Sequence, residues 1–171
     1  MYILCLRAFT QKLLIGIVVP MKKEYQVAIP EDFKNVIEDI FDWHKESSLG
    51  NLVIALHGDL GAGKTAFVQE LGKYLDVEET ITSPTFTLMK QYELENQYFE
   101  MLVHIDAYRF ESEAEAGPLR LSEIFDTSNI IVCLEWPEQI PSIVPSSAVQ
   151  ISIGIGLDDV RQVTVTTKSD K

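Results

Sequence analysis

The chain has 171 residues, 46% of them hydrophobic and 23% charged, with a formal net charge of −12. A chain of that length suits a single domain that buries roughly 70% of its unfolded surface, so it needs no staples to hold a core. The acidity argues against a protein that grips nucleic acid by itself, because phosphate contacts need clustered Lys and Arg.

Met1 to Pro20 carries Arg7 and Lys12 and no acid. Its apolar run from Leu13 to Val19 is too short to span a bilayer. A poor signal peptide without an A-x-A-like cleavage site and a mitochondrial presequence are two readings of this stretch. The favoured third reading is an upstream extension before a true start at Met21, which makes 1–20 an unassigned extension and 21–171 a single domain. The two cysteines, Cys5 and Cys133, lack metal spacing and form no disulfide framework. They fit a reducing, cytoplasmic setting.

Tyr25 to Ile29 alternates as a short strand, and Pro30, Glu31 and Asp32 suit a first helical turn. Phe33, Val36, Ile37, Ile40 and Phe41 then recur at three- and four-residue spacing, which predicts one apolar helix face. Leu52 to Leu56 is a continuous apolar run, the mark of a strand buried on both faces. A glycine-rich loop follows, then a predicted helix over Lys64 to Leu75. Thr85 to Leu94 and Phe99 to Asp106 read as strands, and the acidic stretch Glu111 to Gly117 as a loop or short helix. Ile130 to Leu134 reads as another buried strand, and Pro137, Pro141 and Pro145 punctuate a connector. Val149 to Ile155 and Arg161 to Thr167 alternate around Gly156, Asp158 and Asp159, a predicted antiparallel hairpin. Together these elements predict one α/β domain with a mixed parallel and antiparallel sheet.

Gly58-Asp59-Leu60-Gly61-Ala62-Gly63-Lys64-Thr65 fills every fixed position of the phosphate-loop pattern GxxxxGK followed by Ser or Thr. The pattern is short, and its context gives it weight: an apolar strand runs in and a helix runs out. Loop amides and the helix N-terminus then wrap an anion together. Lys64 reaches the β and γ phosphates of a nucleotide, and the Thr65 hydroxyl ligates magnesium. The competing reading is a glycine-rich turn before an ordinary helix.

Two apolar strands close on carboxylates, Leu102 to Asp106 and Ile130 to Glu135. Ligands of open α/β sheets sit beyond the carboxyl ends of the strands. Two acids delivered there can hold magnesium or orient an attacking water. A strand-end acid that merely starts a turn is the alternative for either one. His104, within its strand, is expected to pack or to bond a neighbour. Thr82 to Leu88 combines hydroxyls with Pro84, which suits a switch loop, although a plain strand-entry turn accounts for it on physical grounds alone. Trp136 is a candidate for packing on the nucleotide or on a partner, with a core or rim tryptophan as the alternative.

The segments GDLGAGKTAFVQELG, ITSPTFTLMKQYE, HIDAYRF and CLEWPE occur here in that order. Together they resemble the TsaE family, the ATPase of bacterial tRNA threonylcarbamoyladenosine synthesis, over Tyr25 to Thr167. The resemblance implies a P-loop NTPase-like three-layer fold, ATP with magnesium as Mg2+, and slow ATP hydrolysis. It implies two partners, the threonylcarbamoyl transferase TsaD and its companion TsaB, with tRNA met indirectly through that complex and no membrane. By position, Gly61, Ala62, Gly63, Lys64, Thr65 and Ala66 would wrap and neutralise the phosphates. Thr65 and Glu135 would bind the metal, and Asp106 would be essential for hydrolysis. Ser83, Pro84 and Thr85 would form a switch-like loop. Arg161 falls near a basic nucleotide contact of the family. Ala66 stands where a second threonine is common, and Gly117-Pro118-Leu119 replaces a leucine-glycine step.

A small-molecule or nucleotide kinase is the rival use of such a loop. Kinases neutralise and enclose two substrates, often with several arginines. Only Arg109, Arg120 and Arg161 follow this loop. Of these Arg109 is the best internal candidate for the phosphates, and Arg161 is expected on a distant hairpin.

Overall fold

The computed structural model describes residues 21–47, 49–95 and 98–167. The reading of Met1 to Pro20 lies outside the described residues. Among the described residues, seven strands build one sheet: β1 (Lys22–Val27), β2 (Leu52–His57), β3 (Met89–Glu93), β4 (Met101–Asp106), β5 (Ile130–Glu135), β6 (Val149–Ile155) and β7 (Arg161–Thr166). Their spatial order is β1-β7-β6-β2-β5-β4-β3. The central pairs β6 with β2, β2 with β5, and β5 with β4 are parallel. The outer pairs β1 with β7, β7 with β6, and β3 with β4 are antiparallel. The sheet is therefore mixed, as the strand patterns predict.

Both faces of β2 are covered, which explains its unbroken apolar sequence. Leu52, Ile54 and Leu56 pack with α1 (Phe33–Glu46) and α2 (Lys64–Tyr74). Val53 and Ala55 point the other way, into a second cluster with Leu121 and Phe125 of α3 (Leu121–Phe125) and with Ile140. This arrangement is an α/β sheet between two helical layers. In the first layer the Phe33 and Phe67 rings meet edge to face at 5.5 Å, a contact worth about 0.5–1.5 kcal/mol beyond area burial. The buried face of α1 is Phe33, Val36, Ile37, Ile40 and Trp43. Phe41 is only partly buried against that cluster.

Local chemistry moves several boundaries. Pro30–Asp32 forms a 3-10 turn, and the α-helix begins at Phe33. Oδ2 of Asp32 accepts the Ala28 and Ile29 amides at 2.9 and 3.2 Å, which fixes that entry. The predicted strand from Thr85 begins only at Met89. The Pro84 carbonyl accepts the amides of Thr87 at 2.9 Å and Leu88 at 2.6 Å, which curls residues 84–88 into a turn. Leu88 has a φ of +64°, which no strand residue holds. The acidic stretch becomes a 3-10 segment, Glu113–Leu119, whose end at Arg120 leads into α3. The hairpin of β6 and β7 forms as predicted, with Ile155 opposite Arg161 beside its turn.

Candidate functional site

Parallel β2, β5 and β4 all point their carboxyl ends to one edge, and the candidate residues gather there. His57 closes β2, Glu135 closes β5 and Asp106 closes β4. Asp106 and Glu135 are direct partners in register, and both are buried. The glycine-rich loop leaves β2 at this edge and turns into α2 at Lys64.

The loop depends on backbone that only glycine adopts freely. Gly58, Gly61 and Gly63 have φ values of +141°, +78° and +114°. A Cβ on Gly58 would lie 2.3 Å from the Ile153 carbonyl oxygen, so the loop lies directly against β6. The Ala62 amide bonds the Asp59 carbonyl at 3.1 Å, and Phe67 N bonds Gly63 O at 2.9 Å as α2 begins.

Lys64 is buried, at 4% exposure. Its Nζ donates to the carbonyl oxygens of Gly58 at 2.7 Å and Asp59 at 3.0 Å. It also sits 4.0 Å from the centroid of the Trp136 ring. Burial pushes its pKa below the ordinary lysine value, while Glu135, Asp106, Glu138 and Asp59 pull it back up. A phosphate anion placed against Lys64 would add to that upward pull.

The Thr65 hydroxyl donates to Oε1 of Glu135 at 2.8 Å. Nε2 of His104 approaches the same oxygen at 2.9 Å, and His104 is fully buried. Two residues along β4, Oδ2 of Asp106 accepts the Thr85 hydroxyl. Oδ1 of Asp106 accepts the Tyr108 amide at 2.9 Å. Ser83 and Thr85 share a hydroxyl hydrogen bond of 2.6 Å. The Ser83–Thr85 segment is thus tied to Asp106.

The donor set suits magnesium. A threonine hydroxyl and a carboxylate are hard oxygen ligands, and magnesium takes one or two such groups alongside phosphate oxygens and water. Thr65 and Glu135 already meet at 2.8 Å. Gly61, Ala62, Gly63, Lys64, Thr65 and Ala66 span the loop and the first turn of α2, where a phosphate chain would lie.

Trp136 follows Glu135 and has a φ of +59° immediately before Pro137. Such backbone costs of order 1–3 kcal/mol and persists only where its surroundings impose it. Here the Trp136 amide bonds Leu56 O at 3.3 Å, and its ring meets Tyr108 at 5.0 Å and Lys64. The residue is half-buried at the rim of the loop.

Arg161 lies on the predicted hairpin, but that hairpin is not distant from the loop. Its Nε donates to the Ala62 carbonyl at 3.0 Å, which places it on the loop itself. β6 runs parallel to β2, so the turn from β6 to β7 returns the chain to the loop edge, 99 residues after Ala62. Arg109 lies 4.4 Å over the ring of Phe86, which is itself 86% exposed. Arg120 pairs with Glu123 at 2.7 Å on the surface, on the element that follows the acidic segment. Three contacts had no signal in the sequence: Tyr108 N to Asp106, Phe86 beneath Arg109, and His57 Nδ1 to Glu138 at 3.3 Å. Each joins residues whose types are common and whose meeting depends on loop geometry.

Comparison with known proteins adds a family. The family described as "Threonylcarbamoyl adenosine biosynthesis protein TsaE" matches residues 27–163. A tRNA threonylcarbamoyladenosine biosynthesis protein TsaE of Bacillus subtilis (strain 168) is 39% identical over 120 residues, covering 70% of this chain and 72% of its own. The protein of the same name from Nostoc sp. (strain PCC 7120 / SAG 25.82 / UTEX 2576) is 40% identical over 127 residues, covering 71% and 74%. Among solved structures, the crystal structure of Bacillus subtilis YdiB is similar with a TM-score of 0.66 and 28% identity, covering 87% of each chain.

Proposed function

The chain belongs to the TsaE family, and from that premise we propose that it is a magnesium-dependent ATPase of tRNA threonylcarbamoyladenosine biosynthesis. The reading rests on one observation: Lys64, Thr65, Asp106 and Glu135 converge where β2, β4 and β5 end. A phosphate loop with two converging acids has the parts that phosphoryl transfer to water requires.

The loop amides and Lys64 hold the β and γ phosphates of ATP. Thr65 and Glu135 hold Mg2+, which when bound neutralises charge on the phosphate oxygens. Asp106 orients the attacking water. Its Oδ2 is shared with Thr85, so a shift of the Ser83–Thr87 loop changes what Asp106 can offer. Trp136 lines the rim where nucleotide or partner packs, and Arg161 steadies the loop from β7 through Ala62.

The partners are a TsaD-like threonylcarbamoyl transferase and its TsaB-like companion. Through them the ATPase permits repeated turnover, and tRNA is engaged by the complex. Alone, the protein hydrolyses ATP slowly. Arg161 is committed to a loop carbonyl, and Arg109 is stacked on Phe86. An arginine supplied in trans to the transition state is worth about 10³–10⁵ in rate.

The test is phosphate release by the purified protein, then with the transferase and companion added. Stimulation by the pair supports the proposal. A high basal rate with no response, together with phosphate transfer to a nucleoside, would replace it with a kinase.

A further inference from the structure

We propose that His104 is a positioning residue that aims the Glu135 carboxylate at the magnesium site; this rests on the ATP and magnesium reading given above. His104 interrupts an otherwise apolar strand, Leu102-Val103-His104-Ile105, and is fully buried. Its Nε2 lies 2.9 Å from Oε1 of Glu135, and its Nδ1 is buried without any hydrogen-bond partner. A ring held only for packing would be better replaced by leucine or valine, like its neighbours, because a buried unpaired nitrogen is costly. The interaction at Nε2 must offset that cost.

The direction of that interaction follows from the partners. Glu135 Oε1 accepts the Thr65 hydroxyl at 2.8 Å. A carboxylate oxygen has only lone pairs to offer the ring, so Nε2 carries the proton and donates. Two donors therefore converge on Oε1, one from α2 and one from β4. No described residue donates to Oε2. The carboxylate is held by one oxygen and presents the other, and the Thr65 oxygen is left with its lone pairs free. Oε2 and the Thr65 oxygen can then face a cation or its water together.

Among the described residues, His104 and Thr65 are the two side chains that hydrogen-bond the Glu135 carboxylate. His104 lies one residue before Ile105 and two before Asp106 on β4, with Cys133 as its register partner on β5. It is therefore placed one pleat below the acid pair, on a strand held between β5 and β3. Residues that orient a ligand in this way typically carry 10–100-fold in metal affinity, by analogy with outer-shell partners of metal sites.

The experiment measures ADP affinity by calorimetry in excess EDTA and in saturating magnesium, for the full chain and for His104→Leu and His104→Gln. The ratio of the two affinities is the magnesium enhancement. His104→Leu is expected to keep metal-free affinity and to lose about tenfold or more of the enhancement. His104→Gln, which returns an N–H donor near the position of Nε2, is expected to restore most of it. An unchanged enhancement in folded His104→Leu would overturn the proposal. Should His104→Leu not fold, nitrogen NMR of the unmodified protein decides: a ring that carries a proton on Nε2 supports the assignment, and a ring with a bare Nε2 overturns it. Absence of any magnesium enhancement in the unmodified chain would defeat the ATP and magnesium reading instead, and with it the role given to His104.

Discussion

The Thr85 hydroxyl donates to Oδ2 of Asp106, so the loop around Pro84 is fastened to the acid that ends β4. Oδ1 of that carboxylate accepts the Tyr108 amide at 2.9 Å. Both oxygens are engaged by groups from either side of the strand end, which holds the carboxylate in one orientation. Asp106→Asn retains an oxygen for one of these two donors and removes the charge. It is expected to bind ATP with affinity within about threefold of the unmodified chain and to release phosphate roughly 10²-fold more slowly, the lower end of what a positioned base contributes. Nucleotide titration and single-turnover hydrolysis check this, and normal turnover would remove Asp106 from the mechanism.

Lys64 is held over loop carbonyls and the Trp136 ring at the cost of burying an ammonium. Lys64→Ala should leave the melting temperature nearly unchanged, because a desolvated charge is removed together with its bonds. ATP affinity should fall by about 10–100-fold, since a charge-assisted hydrogen bond is worth about 1.5–3 kcal/mol. Calorimetry decides it, and an unaltered dissociation constant would mean that Lys64 does not face phosphate.

Gly58 and Gly61 make a paired test of the loop. A Cβ on Gly58 meets the Ile153 backbone oxygen at 2.3 Å, whereas one on Gly61 meets nothing within 4 Å. Both have positive φ, so both alanine variants carry backbone strain, of order 1–3 kcal/mol. Only Gly58→Ala adds a clash with backbone that cannot step aside. Its melting temperature should fall by roughly 4–8 °C, corresponding to about 2 kcal/mol in a chain of this size, and Gly61→Ala should fall less. Equal losses would show that β6 does not support the loop at Ile153.

His44 makes stability pH-dependent. Its ring lies 5.5 Å from that of Phe99, and burial lowers its pKa below the ordinary histidine value. The unfolded chain therefore binds a proton more readily than the folded one, and stability falls with acid. The contribution of neutral His44 is complete above the unfolded-state pKa of about 6.5 and is lost as pH drops through the lower folded-state value. Urea midpoints between about pH 8 and pH 5 should decline more steeply for the unmodified chain than for His44→Gln. Parallel profiles would mean that His44 titrates alike in both states.

Most of the architecture could be read in the sequence because it is written in local patterns. Leu52–Leu56 and Ile130–Leu134 are apolar without alternation because both faces of a central parallel strand are covered. Phe33, Val36, Ile37 and Ile40 recur with the helical period because one face of α1 meets the sheet. The loop was legible because each of its glycines answers a backbone demand within eight consecutive residues. Residues 85–88, expected as strand, form a turn because two amides converging on the Pro84 carbonyl outweigh β propensity.

The sequence by itself thus determined the strand and helix periods, the loop from Gly58 to Thr65, and the two strands that end in acids. These are properties of neighbouring residues, where spacing converts directly into direction. Only the tertiary structure decided which acid meets Thr65, that Thr85 holds Asp106, that His104 stands behind Glu135, and that Arg161 reaches the loop. Those contacts join residues 21 to 99 positions apart, and they follow from strand order, which no local pattern encodes. Parallel β2, β5 and β4 bring their ends together, and the return of the chain from β6 to β7 carries Arg161 back to Ala62.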